Sequence, residues 1–108
     1  MKQKNIRVWF KEPRKKAELR TMPNTLEALQ GAVGGYIETY SIAMDETIVC
    51  DEEGWLKNYP PNVSMWNNAF YGNILLVGVD GEEFCDFPEQ DEAKMKRMFP
   101  GLFREGKQ

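Results

Sequence analysis

Apolar and polar side chains alternate from near the start of the chain. Ile6, Val8 and Phe10 interleave with Arg7, Trp9 and Lys11, the period-two pattern of a strand with one face turned inward. Glu12-Pro13-Arg14-Lys15 reads as a turn, because proline presets the backbone dihedral of the second turn position. Lys16 to Arg20 returns as a more polar strand whose lysines blunt a sheet edge. The period then changes. Leu26, Leu29 and Val33 recur at helical spacing with Ala32 beside them, behind Asn24 as the N-cap. Gly34 suits a left-handed C-cap and Gly35 releases the chain into a new strand, Tyr36 to Ile42. Both glycines read as positions that need positive φ, so valine at either is expected to destabilise the fold.

Asp45-Glu46 marks a turn, Thr47 to Cys50 a short β-rich run, and Asp51-Glu52-Glu53-Gly54 closes it. Residues 55–72 are the least regular stretch, since Pro60-Pro61 forbids a continuous helix or a central strand. Their aromatic content (Trp55, Tyr59, Trp66, Phe70, Tyr71) predicts a loop packed down on the body. Ile74–Val79 and Glu82–Phe87 flank Asp80-Gly81, a two-residue hairpin signal that pairs Val77 with Phe84, Leu76 with Cys85 and Ile74 with Phe87. With apolar pairs on both faces, this hairpin belongs in the middle of the sheet. Asp86-Phe87-Pro88-Glu89 resembles a capping box. It opens a terminal helix over about 87–99 lined by Met95, Met98, Phe99 and Leu102, with a frayed tail over 104–108. The expected fold is α+β: one antiparallel or mixed sheet of about five to six strands, one helix after the first hairpin and one C-terminal helix.

Length and composition narrow the class. The 108 residues suit one domain of roughly the usual 100–150. A hydrophobic fraction of 42% excludes a disordered chain. No run approaches the ~20 apolar residues of a membrane span, and no signal-peptide core opens the chain, so a cytoplasmic location is expected. Histidine is absent, and Cys50 and Cys85 lack metal-ligand spacing; both read as buried small hydrophobes, and no cofactor or metal is expected.

The net charge of −3 conceals a segregation. Residues 1–23 carry eight bases and two acids (+6), residues 24–93 fourteen acids and one base, Lys57 (−13), and residues 94–108 five bases and one acid (+4).

Read together, Glu12-Pro13-Arg14, Asn24 to Gln30, Val33-Gly34-Gly35-Tyr36-Ile37-Glu38, Glu52-Glu53-Gly54, Leu56-Lys57 and Pro60-Pro61-Asn62 resemble one family, the domain of unknown function 3846. The resemblance runs over about residues 6–88 and covers proteins of bacteria and of their phages, plasmids and conjugative elements. It implies a mobile-element accessory protein and supplies no reaction. Members often carry asparagine where Asp51 stands and lysine where Trp55 stands.

Asp51, Glu52 and Glu53 lack the spaced pattern of a calcium loop and read better as a solvated turn. The glycines at 34–35 end a helix, where the dipole disfavours a phosphate. Without histidine, acid–base chemistry would fall to carboxylates such as Glu38. The aromatic loop and acidic turn are the best candidate binding surface: Asp51, Glu52, Glu53, Trp55, Tyr59, Trp66 and Tyr71. Gly34, Gly35, Asn24, Asp80 and Gly81 read as structural. The favoured function is a non-catalytic binding protein of a mobile element, acting in counter-defence by blocking a host protein such as a CRISPR effector or by sequestering a nucleotide. The expected partner is a host or phage protein first and a small nucleotide second, with direct nucleic-acid or membrane contact disfavoured. A small carboxylate-dependent enzyme and a plasmid-transfer protein without a defence role are the alternatives.

Overall fold

A computed structural model describes residues 3–65 and 67–104. The alternation at the start becomes β1 (Asn5–Lys11), which pairs with β2 (Glu18–Pro23). Helix α1 (Leu26–Val33) leads to β3 (Ile37–Ala43) and β4 (Glu46–Asp51). A separate two-stranded hairpin, β5 (Pro61–Met65) with β6 (Asn68–Tyr71), precedes β7 (Ile74–Asp80), β8 (Glu83–Cys85) and α2 (Glu92–Met98). The main sheet has the order β2-β1-β7-β4-β3, with β8 beside β7, and its strand pairs are antiparallel. The α+β expectation therefore holds.

Strand alternation sorts the apolar residues onto two faces. Ile6, Val8, Phe10, Val49, Leu75 and Val77 pack under Leu29 and Val33 of α1. Trp9, Ile48, Cys50, Ile74 and Leu76 face the other way, under Met65 and Phe70 of the β5–β6 hairpin and Met95 and Leu102 of the C-terminal segment. The one-inward-face reading of β1 is thus corrected. With β2 and β7 on its flanks and a covering layer on each side, β1 buries Trp9 and Lys11 as well as Phe10. The Lys11 ammonium reaches the Glu12 carbonyl at 2.9 Å, and burial lowers its pKa from the usual lysine value.

Several local expectations give way to longer-range partners. Asn24 is not the cap of α1: it is buried, and its amide donates to the carbonyls of Gln3 and Phe84 at 3.0 and 3.1 Å. The cap passes to Thr25, whose hydroxyl accepts from Ala28 N at 3.1 Å. The β7–β8 turn lies at Gly81-Glu82, not Asp80-Gly81, pairing Val79 with Phe84 and Gly78 with Cys85. Among the turn residues only Gly81 takes positive φ (64°), and a turn with glycine at its first central position needs just one such residue. The pairing moves by two residues, so each side chain keeps its face. β8 is a three-residue strand off the main path, and only β7 is central.

The Asp86–Glu89 capping box does not form either. Asp86 Oδ1 accepts from Arg7 N at 2.8 Å, and the terminal helix is reduced to a 3₁₀ turn (Glu89–Asp91) and α2, neither with a side-chain cap. Met98 is exposed, while Met95 and Leu102 are buried as expected. Cys50 is buried and Cys85 half-buried, both as free thiols. Of the expected tail, only Arg104 is among the described residues. No helix among them is long and apolar enough to cross a membrane.

Candidate functional site

The two glycine-bearing motifs of the sequence meet in space. Gly34, at φ 101°, caps α1 in the left-handed region, its N–H donating to Gln30 O. Gly35, contrary to expectation, is not a positive-φ residue, and it is space that requires glycine there. A Cβ there would stand 2.8 Å from Asp51 Oδ2 and 2.5 Å from Lys57 Nζ. Those two groups form an ion pair of 2.8 Å, with the Asp51 side chain only 1% exposed. Lys57 also approaches Gly34 O at 3.4 Å, a cation at the negative end of a helix. Burial works against the Asp51 carboxylate, yet Lys57, the Glu53 backbone N–H and Tyr59 hold its pKa below the ordinary value. Asp51 is therefore no solvated turn residue: the one base of residues 24–93 neutralises it. Glu52 and Glu53 are exposed as expected.

Behind this knot lies a recess of about 310 Å³ where β3 and the end of β4 pass β6. Glu38 and Tyr40, two apart on β3, share one face of the strand and line it with Cys50, Glu52, Trp55, Phe70 and Tyr71. Tyr40 donates its phenol to Glu38 Oε1 at 3.0 Å and stands edge-on to Phe70 with ring centroids 5.2 Å apart. That hydrogen bond raises the Tyr40 pKa, with burial adding to it. Cys50 Sγ donates to Glu38 O at 3.7 Å, and burial pushes its pKa up to about 12, so it stays a neutral thiol at physiological pH. Trp55 is 65% exposed. Among the described residues, neither Glu38 nor Glu52 belongs to an ion pair. The recess therefore presents two carboxylates and aromatic walls without a neutralising cation.

Of the residues picked from sequence, Asp51, Glu52, Trp55 and Tyr71 converge here, although the Asp51 carboxylate is turned to Lys57. Glu53 serves Asp51 through its backbone, and Trp66 lies outside the described residues. Tyr59 faces a second recess of about 300 Å³ between the last turn of α1 and Pro60, whose lining has no charged residue. Trp55 is not packed down on the body as the aromatic content of its loop predicts, whereas Phe70 is buried in the core. Glu38, Tyr40 and Phe70 are absent from the binding residues that the sequence suggests, where Glu38 and Tyr40 stand only as candidates for acid–base chemistry. The signal for Glu38 and Tyr40 was a polar pair at period two on a strand otherwise inward-facing at Ile42.

The linear charge segregation is partly kept across the sheet and partly neutralised. Arg14, Lys15, Lys16 and Arg20 sit on and beside β2 at one edge, with Lys15 and Arg20 paired to Glu12 and Glu18; Glu38, Asp45, Glu52 and Glu53 sit on and beside β3 and β4 at the other, while Glu46 is buried and Arg7 pairs with Glu89 and Glu92. No group of three or more metal-binding side chains is clustered among the described residues.

The family model for a domain of unknown function (DUF3846) matches residues 6–100. No curated protein and no solved structure matches the chain.

Proposed function

For a chain that belongs to the DUF3846 family, we propose a non-catalytic role in binding a protein partner through the acidic β3 side of the sheet. The observation that carries this reading is the recess beside β3, where Glu38 and Glu52 stand unneutralised among Tyr40, Trp55 and Tyr71. Exposed aromatics supply contact area at little entropic cost, and the carboxylates steer a basic surface toward them. With the mobile-element setting that the family resemblance implies, the partner is a host defence protein with a nucleic-acid-binding groove, such as a CRISPR effector. The acidic edge occupies that groove in place of a phosphate backbone. The nucleotide-sequestering form of the reading draws no support from this recess, because phosphates would face Glu38 and Glu52.

The test is affinity capture with the purified chain from host lysate and from purified CRISPR effectors, followed by native mass spectrometry. A stoichiometric complex that weakens as salt screens the charges is expected. Recovery of no complex from either source would overturn the reading. Turnover that disappears in Glu38→Gln with an unchanged melting temperature would overturn its non-catalytic part.

A further inference from the structure

Strand β3 is the acidic edge of the sheet, and among the described residues it pairs only with β4. Such an edge presents a row of backbone N–H and C=O groups to a further strand. The opposite edge is blunted: β2 carries Arg20 and ends in Pro23, and Lys15 and Lys16 precede it. β3, Ile37-Glu38-Thr39-Tyr40-Ser41-Ile42-Ala43, has no lysine, arginine or proline, and its pairing is irregular only near its end, between Ser41 and Ala43. Thr39 and Ser41 are exposed, whereas Glu38 and Tyr40 face the recess.

We infer that β3 receives an extended, arginine-bearing segment of a partner protein as an added strand, with one guanidinium entering the recess. This rests on the protein-binding reading above and names the form the partner takes. The geometry links the two parts. On an added strand, alternate side chains point to the face that Glu38 and Tyr40 occupy. The residue beside Glu38 is then a cross-strand neighbour, where an opposite charge is favoured. A guanidinium there finds the Glu38 and Glu52 carboxylates and the aromatic side chains of Trp55 and Tyr71, residue types that suit its planar cation. A recess of about 310 Å³ is at the small end of ligand sites, the scale of one side chain rather than of a large ligand. Charge complementarity selects the occupant: an acidic segment would meet two unneutralised carboxylates.

A short synthetic peptide alternating arginine and threonine is the probe, titrated into the intact chain and followed by tryptophan fluorescence and by amide NMR shifts. Saturable binding with shifts concentrated at residues 37–43 and at Trp55 is expected. Glu38→Gln, which keeps an acceptor for Tyr40, should weaken binding about tenfold, the loss of one charge-assisted contact. Exposed Trp55→Ala should weaken it without changing the melting temperature. A peptide N-methylated along its backbone should lose binding, since it cannot pair with an edge. Equal binding by the N-methylated or a glutamate-for-arginine peptide would overturn the inference. So would shifts on the β1–β2 turn, or a chain whose β3 is occupied by a second copy of itself. If a captured partner binds wild type and Glu38→Gln equally, this inference falls while the protein-binding reading stands; if wild type captures nothing, the reading itself falls.

Discussion

Glu46 offers the sharpest energetic test of the fold. It starts β4 and is only 4% exposed, on the face of the sheet covered by the C-terminal segment, where it meets Asp91. Burial, then the hydrogen bond to Asp91 and the negative charges of Asp91 and Asp45, lift its pKa from 4.5 to about 7, with Lys94 the one opposing charge. The native state therefore holds a proton that the unfolded chain has released. Below pH 4.5 both states are protonated and the group is neutral in the balance. As pH rises from about 4.5 to about 7 the unfolded state loses its proton first, so stability falls; above 7 the loss is complete. At ~1.4 kcal/mol per pKa unit, the shift corresponds to a loss of about 3 kcal/mol. Glu46→Gln keeps a neutral group that can donate to Asp91 and removes the titration. The mutant should match wild type near pH 4.5 and exceed it at pH 8 by about 3 kcal/mol, or roughly 13 °C in melting temperature. Circular-dichroism melts of both proteins across this range isolate the effect, because groups that do not interact with Glu46 cancel in the difference and leave the Glu46–Asp91 pair as one unit. A wild-type-minus-mutant difference that does not vary with pH would refute the argument.

Two further substitutions test the knot that ties the loops to the sheet. Gly34→Ala and Gly35→Ala should each cost about 1–2 kcal/mol, the first through positive φ and contact with the Tyr59 hydroxyl, the second by displacing Asp51 from Lys57. Both should raise the Asp51 pKa, read by NMR titration, and the second more, because it displaces Lys57 whereas the first displaces only Tyr59. Asn62→Ala removes the amide that donates to Lys11 O at 2.9 Å and Gly72 O at 2.7 Å. It should lower stability by about 1–3 kcal/mol in denaturant unfolding.

How much of this was legible in the sequence depends on the range of the interaction. The strands of the main sheet, α1 and its Gly34 cap follow from periodicity and from one residue's conformational freedom, both local properties, whereas the β5–β6 hairpin forms in a stretch that reads as an irregular loop. What escaped is what distant partners decide. Asn24 is as good a cap as Thr25 by residue type, and only the carbonyls of Gln3 and Phe84 draw its amide away. Asp86 is taken from its capping box by the backbone of Arg7, far along the chain. Asp51 read as one of three solvated acids because its neutralising lysine is six residues on, across a loop whose path no periodicity specifies. The recess was half visible: the aromatic loop supplied Trp55 and Tyr71, but its floor, Glu38 and Tyr40, comes from a strand that reads as ordinary alternation.

The claim that the β3 edge is the binding surface is tested most directly by amide hydrogen exchange on the complex with a captured partner. Protection confined to residues 37–43 and the Glu52–Trp55 turn is the predicted result. Protection of the basic β1–β2 turn, with β3 exchanging as in the free chain, would contradict it.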